Sequence, residues 1–174
     1  MKTYSPIAIA NWFILKADKE QKYLDLIKLL KLIYIAQGFA LARKDTPIIN
    51  APIEAWKYGP VIREVYQEFK KYGTYSIGEP SFKDAQYEVD KFGSPTWNCF
   101  IENVDEHDSD AVEILTDVWE NFSEFTGIQL SNWSHENGGP WYQAWHLEKG
   151  KEHINHPISQ EKISSYFKRV LGCD

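Results

Sequence analysis

The sequence is poor in cysteine and has no long uninterrupted apolar run. Its cysteines, Cys99 and Cys173, are far apart, and Cys173 is the penultimate residue, so we expect no disulfide between them. The most apolar segment, residues 24–42, is interrupted by two lysines and a glutamine, which argues against a transmembrane helix. Residues 1–6 lack the apolar centre and the cleavage site of a signal peptide. These absences predict a cytoplasmic protein that does not associate with a membrane.

The common motifs of nucleotide binding and nucleophilic catalysis are also missing. The sequence has no phosphate-binding loop, no dinucleotide-binding glycine pattern and no nucleophile elbow. The glycine pair Gly138-Gly139 is followed by Pro140 and not by the lysine that a phosphate loop requires. We therefore expect neither a cofactor nor an enzymatic activity.

His135 is the histidine whose neighbours most suggest a site. It precedes two glycines and the pair Pro140-Trp141, which together favour a small pocket. A histidine there can bind an anion or act as a general acid or base, but the sequence supplies neither a nucleophile nor an orienting partner. A structural histidine is therefore favoured, and an enzyme centred on His135 is the weaker alternative.

Three other histidines raise the question of a metal site. His153 and His156 are three residues apart, and His146 is close by in the sequence. Zinc sites take four protein ligands, or three and a water, and the cysteines do not form a pair that completes such a set. We predict that no metal is bound.

The composition is that of a globular domain with an aromatic core: 43% of the residues are apolar and 15% are aromatic, including seven tryptophans. Charge is distributed unevenly. Residues 1–75 carry 12 basic and 7 acidic side chains, and the remaining residues carry 7 and 18. Nine acidic residues lie between Glu102 and Glu124, a segment expected to repel nucleic acid and attract basic proteins. The pI of about 5.4 argues against nucleic acid as a partner, although the basic first half offers a local patch.

The periodicity of apolar residues predicts a mainly α protein: a single compact helical domain, residues 1–174, of six to eight helices. The predicted helices are 6–18, 23–43, a turn from Pro52 to Trp56, 60–72, 108–126 ended by Gly127, 130–136, 140–145 and 159–171. Phe125 and Val170 are among the residues expected to be buried. Helix 23–43 is apolar nearly all round and is expected to be central. In the irregular segment 74–107, residues 87–92 alternate enough to permit a short strand or hairpin.

The segment Ile53–Val61 is the most informative part of the chain. It joins two aromatic residues, Trp56 and Tyr58, to a Gly59-Pro60 pair that leads into the helix carrying Arg63 and Tyr66. Glycine at this place suggests an unusual backbone angle or a close approach, and the ring of Pro60 suits a first helical position. Trp56 is expected to pack against the core, and Tyr58 is expected to be exposed.

Three motifs resemble the Panacea domain family, also described as SocA-like or GepA-like phage-associated proteins. The motifs are the Ile53–Val61 segment with Glu54, Trp56, Lys57, Tyr58, Gly59 and Pro60, the run Lys31–Gly38, and the run His135–Trp141 with Pro140. The similarity extends over most of the chain, from Asn11-Trp12-Phe13 to Tyr166-Phe167.

The resemblance implies an antitoxin: a helical domain encoded beside a small toxin, which it neutralises by direct contact. In the SocA-like case it also implies an adaptor that delivers the toxin to a AAA+ protease. Aromatic and arginine side chains dominate such interfaces, so we take Tyr58, Arg63, Tyr66 and Trp141 as candidate partner-binding residues. The acidic helix is a candidate for steering a basic toxin. The alternative is a structural or adaptor phage-associated protein without a toxin partner.

Overall fold

The computed structural model describes the backbone of residues 1–89, 92, 95–153 and 155–173, and the side chains of these residues except 83–89 and 95–99. Within this part the fold is mainly α, as predicted. Its helices and strands are, in order, α1 Pro6–Lys19, α2 Leu26–Lys44, β1 Glu54–Trp56, β2 Gly59–Val61, α3 Arg63–Phe69, β3 Phe82–Val89, β4 Pro95–Ile101, α4 Ser109–Phe122, α5 Gly127–Ser134, α6 Pro140–Tyr142 and α7 Gln160–Leu171. Short 3-10 turns follow α3 and precede α7, and a π-helical turn, Gln143–Leu147, continues α6.

The first two helices begin at side-chain caps. Ser5 accepts a hydrogen bond from the amide of Ala8, and Pro6 occupies the first turn, as predicted. Helix α2 begins three residues later than the predicted start at Tyr23, because Asp25 caps it through the amide of Lys28. The preceding turn uses a positive φ of 54° at Gln21, which interrupts helical geometry.

Helix α2 is the centre of the fold, as its all-round apolar sequence predicts. Residues 28–42 are buried without interruption, and α1, α3, α4, α5 and α7 pack around the helix. Aromatic rings fill the contacts: Tyr34 lies edge-on to Phe167 of α7, and Phe39 lies edge-on to Phe122 of α4, with centroids 5.6 and 6.1 Å apart. Burial of this one helix therefore positions most of the others.

The irregular segment 74–107 contains a β-hairpin, which confirms the short strand permitted by the sequence. Strands β3 and β4 pair antiparallel from Phe82–Ile101 to Val89–Pro95, with an irregularity between Lys83 and Gln86. Of the predicted strand 87–92, residues 87–89 belong to β3, and Asp90 and Lys91 lie outside the described residues.

The base of this hairpin is held by Asn11 of α1, whose side chain is fully buried. Its amide nitrogen donates to the carbonyl oxygens of Ser81 (2.9 Å) and Glu102 (2.8 Å), and its oxygen accepts from the amide of Ser81 at 2.7 Å. One side chain thus joins the segments before β3 and after β4 to the helical core.

We expect the Asn11→Ala variant to lose about 2 kcal/mol of stability, because three partly buried backbone groups lose the hydrogen bonds that Asn11 makes with them. The loss should be local: hydrogen exchange of the β3 and β4 amides should accelerate more than that of α2 amides. The exposed Asn50 provides the control, and Asn50→Ala should leave both rates unchanged. Unchanged exchange in β3 and β4 of Asn11→Ala would show that the clamp is not needed.

The predicted end of α4 and start of α5 are wrong, and so is the expected burial of Phe125 and Val170. Helix α4 ends at Phe122, and Gly127 does not end it but begins α5, because Thr126 and Gln129 form a reciprocal capping box. Phe125 therefore leaves the α4 stripe and is 44% exposed. In α7, Val170 has the helical spacing of Ile163 and Phe167 but lies in the last turn of the helix, where it is 51% exposed.

No helix in the described part of the chain combines the length and the apolarity of a membrane span. Cys173 is a free, exposed thiol.

Candidate functional site

The segment Glu54–Val61 is a β-hairpin, and the predicted helical turn from Pro52 to Trp56 is wrong. Strands β1 and β2 pair in the register Glu54–Val61, Ala55–Pro60 and Trp56–Gly59, and Lys57 and Tyr58 form the two-residue turn. Helix α3 begins at Arg63, not at Pro60, because Gly59, Pro60 and Val61 are extended as β2. A glycine-proline pair suits either structure; pairing with β1 decides between them.

Gly59 has the two properties expected of it. Its φ is +103°, a region that residues with a Cβ rarely adopt. A Cβ placed there would lie 2.8 Å from Lys31 Cε and 2.8 Å from Ser134 Oγ. The hairpin can therefore lie this close to α2 and α5 only with glycine at residue 59.

Pro60 is tolerated because its nitrogen is not needed in the ladder. Across from it, the amide of Ala55 donates outward to the carbonyl of His156 at 2.8 Å, and the amide of Ile158 donates to the carbonyl of Ile53 at 2.7 Å. The carbonyl of Pro60 accepts from Lys31 Nζ at 3.0 Å. The hairpin is therefore fixed on one side by the segment before α7 and on the other by α2.

Glu54 organises the side chains at the base of the hairpin. It is 7% exposed, and its Oε2 accepts from Trp56 Nε1 at 2.8 Å. Its Oε1 lies 3.4 Å from Arg63 Nε. The ring of Trp56 meets the ring of Tyr66 with centroids 4.9 Å apart and planes at 62°. Two elements, β1 and α3, are joined through these four side chains.

The motif around His135 meets the hairpin, although the two are about 80 residues apart in the sequence. Gly139 caps α6, and Pro140 occupies its first turn. Trp141 is 4% exposed, and its Nε1 donates to the carbonyl of Trp56 at 2.8 Å. The ring of His135 stacks on Trp141 with centroids 3.8 Å apart and planes at 20°. The motif thus holds the hairpin through Trp141, on which His135 stacks.

His135 lacks the surroundings of a catalytic base. Its Nε2 is buried without a hydrogen-bond partner among the described residues. Burial lowers the pKa of the imidazole, and the nearby Lys31 and His146 lower it further, so the neutral form is favoured at pH 7. The ring lines neither of the two grooves described below. Stacking on Trp141 is the role that the geometry supports.

Lys31 is the most unusual ionisable group of the site. Its side chain is 2% exposed, and burial lowers its pKa to about 7. Nζ donates to the carbonyl of Pro60, and within the described part of the chain no carboxylate raises the pKa of this amine. The amine of Lys31 is therefore buried at the contact between α2 and the hairpin without a carboxylate beside it among the described residues.

Two grooves lie on either side of the Lys57–Tyr58 turn. The first, which we call the α2 groove, has a volume of about 290 Å³ and is mostly apolar, with Lys31 in its lining. The second, the Arg63 groove, has a volume of about 440 Å³ and is more polar. The α2 groove is lined by Leu26, Ile27, Leu30, Trp56, Tyr58 and Tyr66, and the Arg63 groove by Trp56, Lys57, Arg63, Gln67, Trp145 and Lys151, among others.

The four candidate partner-binding residues occupy different positions on this surface. Tyr58 is 68% exposed at the turn, as predicted for this residue. Arg63 is exposed in the Arg63 groove, and Tyr66 is half-buried in the wall of the α2 groove. Trp141 is buried, so it supports Trp56 and does not reach the surface. Sequence reasoning missed Trp145 and Lys151, which come from the segment after α6 and carry no motif that links them to the hairpin.

The three histidines with metal-like spacing are separated by other contacts. His146 packs against the rings of Trp141 and Tyr142, and His156 Nε2 lies 3.4 Å from Glu148 Oε2. His153 lines the Arg63 groove. In the described part of the chain no group of three His, Cys, Asp or Glu side chains is placed to hold an ion.

The acidic stretch and the basic first half of the chain pair with each other. Ion pairs join α4 and its flanks to α2 and to the segments before and after α1: Lys2–Asp105, Lys22–Glu124, Arg43–Asp117 and Lys44–Asp110. Lys16 pairs with Glu20, and Lys28 and Lys31 are buried. Most of the side chains of the predicted basic patch thus form ion pairs within the protein or are buried. Much of the acidic face that was expected to steer a basic toxin is paired with them.

Comparison with known proteins gives two matches of the same kind. The sequence profile of the family described as "Antitoxin SocA-like, Panacea domain" matches residues 29–142, which include most of α2, the hairpin and His135–Trp141. The chain is similar to Antitoxin SocA of Caulobacter vibrioides strain NA1000 / CB15N, with 33% identity over 135 residues. That match covers 77% of this chain and 66% of the relative, so the chain spans just under two thirds of the relative's length. No solved structure matches the chain significantly. The chain belongs to the family of SocA-like antitoxins with a Panacea domain.

Proposed function

We propose that residues 1–174 act as one antitoxin domain that binds a cognate toxin, the product of the adjacent gene, and neutralises it by direct contact. The observation that supports this most is the hairpin: Gly59, Pro60 and Trp141 fix it in place, and it presents Tyr58 between two grooves. Family membership supports a toxin as the partner. A preformed surface of this kind loses little conformational entropy on binding.

The geometry favours binding over catalysis. His135, the candidate base, is stacked on Trp141 and lines neither groove, and the grooves contain aromatic and basic side chains. Aromatic and arginine side chains are the usual anchors of protein interfaces, which typically bury about 1,600 Å². Tyr58, Arg63 and Tyr66 are the candidate anchors, and Trp141 is a supporting residue.

Co-expression with the adjacent gene tests the proposal. We expect the product of that gene to stop growth alone and growth to return when this protein is present. The Tyr58→Ala variant should weaken toxin binding about tenfold or more, as for an aromatic hot spot. Tyr75 is 79% exposed and lines neither groove, so Tyr75→Ala is the matched control and should neutralise normally. A harmless neighbouring product, or one that stays lethal beside this protein, would contradict the proposal.

Delivery of the bound toxin to a AAA+ protease is a second step that binding permits. An adaptor raises the local concentration of a substrate at the protease without new contacts between them. If it operates, this protein shortens the toxin's half-life in cells, and deletion of the protease restores it. Neutralisation with an unchanged half-life would leave direct contact as the whole mechanism.

Should a protease or a phage protein be recovered when the adjacent gene is deleted, the adaptor function without a toxin would replace the proposal.

A further inference from the structure

The surface around the Lys57–Tyr58 turn is basic, although the whole chain has a net charge of −6. Among the described residues that line the two grooves, four have basic side chains, Lys31, Lys57, Arg63 and Lys151, and one, Glu152, has a carboxylate. Lys57 and Lys151 are exposed, and within the described part of the chain neither has an ion pair. The surface therefore has charge of the sign opposite to that of the protein as a whole.

The basic side chains of this surface have fewer carboxylate partners than the basic side chains in and beside α2. Lys22, Arg43 and Lys44 face carboxylates of α4 or its flanks. Of the groove cations, Arg63 faces Glu54, but Lys31 is buried with the carbonyl of Pro60 as its described acceptor. An ammonium group has three N–H donors, so Lys31 can donate a hydrogen bond to a further acceptor.

An apolar patch borders the same surface. Ile27 and Tyr58 are 39% and 68% exposed and line the α2 groove. Ile128 of α5 is 69% exposed, and α5 lies beside Ile27, since a Cβ on Gly127 would be 3.0 Å from Ile27 Cβ. Helix α5 also holds the turn, because Ser131 Oγ donates to the carbonyl of Tyr58 at 2.9 Å. Apolar side chains thus continue from the groove onto α5.

We propose that the two grooves bind an acidic segment of the toxin, with one large apolar side chain of that segment in the α2 groove and its carboxylates against Lys57 and Lys151. The proposal rests on the toxin-binding function proposed above. Trp56 and Lys57 line both grooves, so a short extended segment that crosses the turn occupies both. Complementary charge speeds the encounter and fixes the register, and the apolar side chain supplies most of the affinity.

A carboxylate that enters the α2 groove also meets Lys31. A buried ammonium without an opposite charge is unfavourable, and a carboxylate beside it stabilises its charged form. Binding would thereby supply the partner that the free protein lacks. The lysine at this position then favours an acidic occupant over a neutral one of the same shape.

Peptide mapping and charge reversal test the proposal together. Overlapping peptides that cover the product of the adjacent gene are titrated against the whole protein. We expect the peptides that bind to carry Asp or Glu next to a large apolar residue.

The double variant Lys57→Glu, Lys151→Glu should bind the toxin about tenfold more weakly or worse, which corresponds to roughly 1.4 kcal/mol. Raising the salt from about 0.05 M to about 0.5 M should weaken wild-type binding, and much less so that of the variant.

The control changes the net charge by the same amount elsewhere. Lys19 and Lys71 are exposed and line neither groove, so the double variant Lys19→Glu, Lys71→Glu should bind within about twofold of wild type. All four substituted side chains are on the surface, and we expect both variants to fold.

The outcomes separate this inference from the function on which it rests. If the toxin is neutralised but the groove variant binds as well as the control, or the binding peptides are basic, the acidic-segment proposal is overturned and the antitoxin function remains. The opposite outcome is that the neighbouring product is not neutralised, yet an acidic peptide binds the wild type and does not bind the groove variant. In that case the antitoxin function is overturned and the binding of an acidic segment remains. A single-stranded oligonucleotide that binds wild type but not the groove variant, while no peptide binds, would overturn the proposal in favour of nucleic acid.

Discussion

The Lys31→Met variant is expected to be more stable than the natural protein by about 3 kcal/mol at pH 7. Methionine has a similar length and fills the same buried space without a charge. The gain comes from removing an amine whose pKa burial lowers from 10.5 to about 7. It is reduced by about 1 kcal/mol because the carbonyl of Pro60 loses its donor.

The sign of the pH dependence follows from the direction of the shift. Between about pH 7 and 10.5 the unfolded chain carries a proton on Lys31 that the folded protein releases, so the stability of the natural protein rises with pH in this window. Below about pH 7 both states are protonated and the full penalty applies. A shift of this size corresponds to about 5 kcal/mol over the whole window. The two proteins should therefore converge in stability near pH 10.

Urea unfolding at a series of pH values from about 6.5 to 10 measures both expectations. The lowered pKa of Lys28 is common to the two proteins and cancels in the difference. Lys31 is one cause of the lowered pKa of His135, so its removal changes that pKa, but burial keeps His135 mostly neutral in both proteins at about pH 7 and above, where the two are compared. Lys19→Met is the control at an exposed lysine and should follow the natural protein at every pH. A difference between Lys31→Met and the natural protein that does not change with pH would mean that Lys31 is charged at neutral pH in the folded state.

A lysine that lowers stability at neutral pH suggests a function for the charge. If an acidic segment of the toxin occupies the α2 groove, Lys31→Met should be the more stable protein and the weaker antitoxin. Loss of function that accompanies a gain in stability is the pattern expected of binding residues and not of structural ones. The same variant therefore gives a second view of the proposed groove.

The sequence predicts the helical part of this fold well because its signals are local. Ser5-Pro6 starts α1, Asp108 caps α4, and Gly172 ends α7 with a φ of +64°. Ser159 immediately precedes α7, but its hydroxyl makes no capping bond. The all-round apolar pattern of α2 is enough to predict a central helix. Each of these features depends on residues within one or two turns of each other.

One error, the boundary between α4 and α5, comes from overlooking a local signal, the capping box of Thr126 and Gln129. The other main error occurs where distant segments decide the structure. Gly59-Pro60 and Gly139-Pro140 look alike in the sequence, yet the first pair lies in a strand and only the second starts a helix. The difference comes from β1 and from Lys31, which contact the first pair. No local rule contains this information.

The candidate site is predictable to a similar degree. The motifs identify the hairpin and the run His135–Trp141, and the exposure of Tyr58 follows from its place in a turn. Trp141 is buried where it donates a hydrogen bond to Trp56, which is 85 residues away in the sequence. Its burial could therefore not be predicted from composition or spacing. The pairing of the acidic stretch with the basic first half is missed for the same reason, since charge counts contain no geometry.

The Gly38→Ala variant is expected to lose about 3 kcal/mol of stability, although the same change in a helix normally stabilises by about 0.5–1 kcal/mol. Gly38 lies in the middle of α2, and a Cβ there would be 2.3 Å from two ring carbons of Phe167. That ring is fully buried and also packs edge-on against Tyr34, so it has no space into which to move. Gly78 has an ordinary φ, and a Cβ added to it would meet no atom within 4 Å, so Gly78→Ala is the control and should change stability little.

Combining Gly38→Ala with Phe167→Leu shows whether the ring is the cause. The smaller side chain relieves the overlap, so the double variant should be more stable than the sum of the two single effects by about 1–3 kcal/mol. Denaturant midpoints of the four proteins complete the cycle, provided that the slope of unfolding stays constant. Additive effects would place the strain elsewhere, and a stabilising Gly38→Ala would show that α2 and α7 are farther apart than the contact between Gly38 and Phe167 requires. Because α7 covers α2 through this contact, the glycine ending the Lys31–Gly38 motif is explained by packing, whereas the lysine that begins it is explained by the groove.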